Sequence, residues 1–298
     1  MYSFKSLIKQ LIGFFLLLIL AAIPLVFHNT GDPLQSQQQI IFHPQQIVIL
    51  IKDFIAGIFS LDAFYYKTGS NTRFFPADIV AYFKSSYFYL TSSGLIVITL
   101  SFLFGIWLWK TSVKYLNGTL SFLGMIPDFI FILLMQLLVN FIYKTTGIKT
   151  VKVASLSMDD PALFLPIVTL VLIPLIYLIR ALNEHTHEVI SEDYILTAIG
   201  KGLSKPRIYL FHVTTNVLPY LKADLKKITG IMISNLFVVE YLYNTRGVTT
   251  MLFQIQVKFG YQYNLVVLCL ISIMLLYTSV FYTYKLFISI IERILRHA

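Results

Sequence analysis

Six apolar runs, each close to the length that crosses a lipid bilayer as a helix, dominate the sequence: Leu11–Phe27, Tyr87–Trp109, Thr119–Tyr143, Pro161–Ile179, Ile228–Tyr243 and Tyr263–Tyr284. A hydrocarbon core is crossed by about 20 mostly apolar residues in helical form, because lipid offers nothing to unpaired backbone groups. The first run follows Lys5 and Lys9 as a signal peptide would. No clear small-x-small cleavage site follows it and further spans come after, so it reads as a retained anchor. Residues 46–60 carry Lys52 and Asp53 at their centre and are too short to span, which makes them an interfacial or packed amphipathic segment. Composition agrees: 57% of residues are hydrophobic and 12% charged, against about 45–50% and 25% in soluble domains. With 25 Phe and 19 Tyr the chain is no disordered polymer. Its one cysteine, Cys269, excludes a disulfide framework and a multi-cysteine metal site, and reads as a small buried hydrophobe.

The net charge of +9 is a topology signal. With the N-terminus in the cytoplasm, 14 of the 23 basic residues fall inside, and Lys110, Lys114, Arg180, Lys226, Lys227 and Lys285 mark inner span ends. Both termini are then cytoplasmic, and the excess charge calls for no nucleic acid. Residues 1–27 form the first membrane helix, 28–86 an extracytoplasmic loop, and 87–298 a core of five further helices. That core contains a cytoplasmic loop at 180–227.

The cytoplasmic loop holds two helices. Val189, Ile190, Tyr194, Ile195 and Ala198 follow helical spacing, and Gly200 and Gly202 end that helix at a reversal. Ser204 caps the next, with Pro206 in its first turn, and Ile208, Leu210, Phe211, Val213 and Leu218 supply its apolar side. Pro219 is expected to end or kink it. A short helix presented on a glycine turn suits docking into another protein's groove.

The pattern Tyr194-Ile195-x-x-Ala198-x-Gly200-Lys201-Gly202-Leu203, followed by His212, Asn216 and Leu218-Pro219, resembles the EAA loop of ABC importer permeases. More narrowly, it resembles the first permease subunit of their dipeptide, oligopeptide and nickel branch. Gly31-Asp32-Pro33, Ile126-Pro127-x-Phe129, Leu165-Pro166 with Arg180, and Glu240, Tyr243 and Gly247 are similar to further family landmarks in the same order. The resemblance implies an all-helical type I importer permease fold with six transmembrane helices. It implies coupling to an ATPase through Glu192, Asp193, Tyr194, Ala198, Gly200, Lys201, Gly202 and Leu203, and docking of an external solute-binding protein near the Gly-Asp-Pro turn. A second homologous permease subunit and two cytoplasmic ATPase subunits complete the assembly in its membrane lipid, with ATP and magnesium held by the ATPases and no cofactor by this chain. Peptides are the leading cargo, then nickel or metal chelates. The sequence also departs from the family. Leu196 stands where the acidic residue of the loop falls, Ile199 where an arginine is usual and Gly200 where an alanine is. Arg246 replaces a proline, Thr249 a glycine and Asp128 a serine.

Bottom-up chemistry narrows the remaining candidates. Gly200-Lys201-Gly202 is no nucleotide loop, which needs G-x-x-x-x-G-K-[ST] after a strand. Glu184, His185, His187 and Glu188 suggest a metal cluster, but histidines two apart on a helix face different directions and the segment reads as a solvated helix. His212 has no nucleophile beside it and reads as a packing residue. Asp128, about ten residues into the third run and next to the helix-kinking Pro127, is expected near the bilayer centre. It either lines the translocation path against a cationic group of the cargo or is paired within the bundle. Glu240 and Arg246 read as a structural pair or loop anchor at the outer gate, with direct contact to the cargo as the alternative. A stand-alone secondary transporter is the first rival, although the halves share no visible repeat. A non-transporting scaffold or sensor with a permease-like fold is the second.

Overall fold

A computed structural model describes residues 2–29, 40–107, 118, 122 and 126–297. The chain is largely helical. Helix α1 covers Tyr2–Val26, and β1 (Phe27–Asn29) pairs antiparallel with β2 (Ile40–Phe42). Helix α2 (Gln45–Ser60) follows, then a hairpin of β3 (Tyr65–Thr68) and β4 (Asn71–Phe74) that turns at Gly69, φ +68°. These two small hairpins are an addition to the all-helical expectation. Helix α3 (Phe75–Phe102) runs into a π-helical turn at Leu103–Trp107. Then come α4 (Asp128–Thr146), α5 (Phe164–Ile190), α6 (Asp193–Gly200), α7 (Thr214–Tyr243), α8 (Val248–Phe259) and α9 (Tyr263–His297).

Four stretches among the described residues are long and apolar enough to cross a membrane: Phe75–Trp107, Phe129–Thr146, Phe164–Ile190 and Tyr263–Leu295, with Ile12–Val26 as a shorter apolar helix. The expected fifth span is the C-terminal half of α7. That helix falls outside the set because every 18-residue stretch of it takes in at least three of Lys222, Asp224, Lys226, Lys227 and Glu240.

The helix limits differ from the expected span limits at three places. The second span begins as helix at Phe75, well before Tyr87. The start of the third, 119–125, lies outside the described residues except for residue 122; at its described part Ile126 bends, Pro127 takes an extended backbone (φ −58°, ψ 139°), and the helix starts at Asp128. The 180–227 loop is mostly a continuation of its neighbours, since α5 extends to Ile190 and α7 begins at Thr214. Pro219 lies inside α7 without ending it. Val217, Leu218 and Leu221 around it are fully buried, and their packing outweighs the roughly 3 kcal/mol an interior proline costs.

The chain divides into two compact units. The first comprises Met1–Phe83 and Val248–Met274. Its core joins Leu18 and Ala22 of α1, Phe54 of α2, Tyr66 of β3, and Tyr263 and Cys269 of α9. Phe54 therefore packs α2 onto this unit, with its ring edge-on to Tyr263 at 5.9 Å. Tyr66 donates to Asp78 at 2.7 Å, and burial, then that bond, push its phenol above the ordinary value.

The second unit comprises Lys84–Gly247 and Leu275–Ala298. Here α3 and α9 cross at Gly94, where the fully buried Tyr284 ring lies over the helix and its hydroxyl donates to the Leu90 carbonyl at 2.5 Å. A Cβ on residue 94 would come closer than 3.0 Å to that ring. Gly94→Ala is therefore expected to cost about 1–3 kcal/mol by overpacking, read as a lowered thermal midpoint in detergent. An unchanged midpoint would remove this crossing from the account.

Candidate functional site

Two clusters lie at opposite ends of α7, a helix of 30 residues and so about 45 Å long at 1.5 Å per residue. The first is built around α6. The backbone leaves α5 at Ser191, whose hydroxyl donates to the His187 carbonyl at 2.9 Å, and Glu192 (φ −75°, ψ 145°) turns the chain into α6. Asp193 occupies the first turn, a favourable place for an acidic side chain beside unpaired N–H groups. Ile195 and Ala198 face inward and are buried. Tyr194, Leu196 and Ile199 are 43%, 56% and 55% exposed, so the outward side of this short helix is apolar as well. Partial burial, then the Glu192 charge, raises the Tyr194 phenol above its usual value.

The end of α6 is a Schellman cap. Gly202 is left-handed at φ +76°, its N–H bonds the Ile199 carbonyl at 2.9 Å, and the Leu203 N–H reaches back to Ala198 at 3.3 Å. Gly200 is the last helical residue and Lys201 the capping one. Ser204 then takes the extended cap conformation before a turn at Lys205–Arg207 and a π-helical segment at Ile208–Val213. Lys201, Lys205 and Arg207 are all exposed, which gives the apolar surface of α6 a basic border.

The eight residues expected from sequence to couple to an ATPase thus occupy one continuous element. What sequence reasoning missed is Leu196 and Ile199, noted only as departures from a family pattern. The signal was present, since residues three apart on a helix share a face.

At the other end of α7, Glu240 is fully buried and Ser86 of α3 donates to its Oε1 at 2.5 Å. Gly247 closes over this pair so tightly that a Cβ there would come within 3.0 Å of both side chains. The chain leaving α7 is bound by α3 and by residues 155–156. Ser85 donates to the Thr245 carbonyl at 2.7 Å, and Asn244 Nδ2 donates to the Ser155 carbonyl at 3.0 Å. The Ser155 N–H donates to the Tyr243 carbonyl at 2.9 Å, while Tyr89 donates to the Ala162 carbonyl at 2.6 Å. Arg246 donates from Nη2 to the Leu156 carbonyl at 2.8 Å. Its φ is +54°, a value that the proline ring forbids, so an arginine in place of the family's proline goes with a backbone path proline could not follow. Ser85, Ser86, Tyr89 and Ser155 were not legible as a group, because they lie about 85–155 positions from residue 240 and nothing local marks a partner at that distance.

Asp128 is the first residue of α4 and Pro127 its cap position, so Asp128 opens a helix instead of lying ten residues inside one. The Asp128 side chain and the Gly31-Asp32-Pro33 turn lie outside the described residues. His185 stacks on Tyr220 at 4.0 Å between centroids and lies 3.1 Å from Glu188. No group of three metal-type side chains occurs among the described residues.

The profile of one protein family, described as the binding-protein-dependent transport system inner membrane component, matches residues 98–293. The matched stretch takes in α4 to α8, both clusters at the ends of α7, and nearly all of α9. The dipeptide transport system permease protein DppB of Haemophilus influenzae is 32% identical over 87 residues, which is 29% of this chain and 26% of that protein. The match therefore spans about a quarter of the relative's length.

Proposed function

Because the chain belongs to the family of binding-protein-dependent transport system inner membrane components, multi-pass proteins of the plasma membrane, we propose that it forms half of the translocation path of an ATP-driven importer, with peptides as cargo. The observation that carries this reading is α6, a short capped helix held by Ile195 and Ala198 while Leu196 and Ile199 stand exposed within a basic border. Such a face fits an apolar groove with an acidic rim on a cytoplasmic ATPase subunit. The similarity to a dipeptide permease supports peptides ahead of nickel or metal chelates.

In this reading six helices cross the membrane, with both termini in the cytoplasm. A second, homologous permease subunit completes the path, and an external solute-binding protein delivers cargo to it. ATP and magnesium reside on two partner ATPase subunits, and this chain neither makes nor breaks bonds. ATP-driven closure of the ATPase pair moves α6, and the rigid length of α7 carries that bias to Glu240 at the outer gate. Two packings of the bundle thereby exchange population, to the extent that nucleotide binds one of them more tightly. The bonds from Arg246 and Asn244 anchor the outer loop on which that gate turns.

Purifying the chain from its own membrane tests the assembly. Co-purifying ATPase and solute-binding protein support the importer; their absence, together with uptake driven by an ion gradient, supports a secondary carrier instead. Asp128, at the broken start of α4, is assigned to the path with Pro127 setting the break. Asp128→Asn is expected to lower uptake of cationic peptides about tenfold while sparing neutral ones, a factor equal to about 1.4 kcal/mol of lost charge pairing. Equal uptake of both cargoes by this variant would remove the path role.

A further inference from the structure

Among the described residues, helix α4 differs from the other long apolar helices. Only 6% of its apolar window is buried within the protein, against 44–56% for the other three. Ile132 and Val139 hold it to the bundle, and Gln136 donates to the Leu242 carbonyl at 3.0 Å. At 100° per residue, Phe129, Leu133, Leu137 and Phe141 fall together on the opposite side, and all four are exposed.

Apolar exposure alone would suit lipid. The exception is Asn140, which falls within that same stripe between the angular positions of Phe129 and Leu133, is exposed, and has no hydrogen-bond partner among the described residues. It precedes the helix end at Thr146 by six residues, about 9 Å along the axis. If α4 crosses the membrane, that depth lies in hydrocarbon. An amide there has two donors and an acceptor, and lipid tails satisfy none of them. A neighbouring helix does, and asparagine bonding across helices is a recurrent way in which membrane subunits are held together.

We propose that the Leu133–Leu137–Asn140 stripe of α4 is the seam against a transmembrane helix of the second permease subunit, with the Asn140 amide bonded to a polar group on that helix. This rests on the importer reading above and deepens it by naming the contact surface. The occupant is a membrane helix with at least one backbone or side-chain polar group turned toward α4 and small residues flanking it.

The test places photoreactive p-benzoylphenylalanine at position 137 of the full-length chain in its native membrane, with mass spectrometry of the adducts. A second membrane polypeptide, recovered together with ATPase, is the expected product. Adducts with lipid alone in a preparation that still holds ATPase would overturn the seam and leave the importer reading standing. Adducts between two copies of this chain would overturn the choice of partner. Lipid adducts in a preparation without any ATPase would overturn both. Asn140→Leu supplies the second measurement: about three- to twenty-fold weaker retention of the partner subunit, with the thermal midpoint of the isolated chain unchanged. Undiminished retention would overturn the role of the amide.

Discussion

Gly247→Ala is expected to deplete the membrane of folded protein. The added methyl group has nowhere to go, since Glu240 and Ser86 both lie within 3.0 Å of its position and both are fully buried. Overpacking of this kind costs about 1–3 kcal/mol. Moving the carboxylate off the Ser86 hydroxyl adds about 1–3 kcal/mol for a buried polar group left without its bond. Together these take a large share of the roughly 5–15 kcal/mol that holds a typical fold. Thermal denaturation in detergent, followed by size-exclusion chromatography, reads the effect as a midpoint lowered by on the order of 10 °C. Gly230→Ala in the same helix is the control. No atom lies within 4 Å of its Cβ position, and in a helix interior alanine is favoured over glycine by up to about 1 kcal/mol. Equal behaviour of the two variants would contradict the clamp.

The second large effect separates function from folding. Leu196→Glu with Ile199→Glu puts two carboxylates on the outward face of α6, where the wild-type side chains are more than half exposed. Surface changes of this kind alter stability by less than about 0.5 kcal/mol. Two charges buried in an apolar docking groove cost at least about 2 kcal/mol each, and 4 kcal/mol amounts to roughly a thousandfold in affinity. Transport is expected to disappear and the ATPase to be lost on purification, while the thermal midpoint stays at its wild-type value. Retention of both would show that α6 is not the docking element. Ile195→Glu, on the buried face of the same helix, is expected to fail differently, through loss of folded protein.

Most of the helices were legible from the sequence because long apolar runs have one solution in lipid. The inner cluster was legible for a second reason, since its signals are local: Gly202, Ser204 and Pro206 act within a few residues of where they stand. Two prolines act differently in the fold from what their local signals suggest. Pro219 reads as the end or a kink of its helix, yet α7 continues as helix past it among buried neighbours. Pro127 reads as a kink within a span, yet it marks the start of a helix. The outer cluster was half legible. Glu240 and Gly247 stood out by resemblance, whereas Ser86 bonds a residue 154 positions away, and a serine carries no local mark of such a partner. The apolar outer face of α6 is written in the spacing of Leu196 and Ile199, three residues apart on one helix, a signal that their departure from the family pattern masks.

The central claim is that this chain passes solute under the control of ATP hydrolysed elsewhere. Its most direct test is uptake of labelled di- and oligopeptides into proteoliposomes holding the complex purified from its own membrane, with the solute-binding protein outside and ATP and magnesium supplied on the ATPase side. The account predicts accumulation that needs ATP and the binding protein, persists when ion gradients are collapsed, and is abolished by the α6 double variant. Uptake that proceeds without ATP on an imposed ion gradient would contradict it.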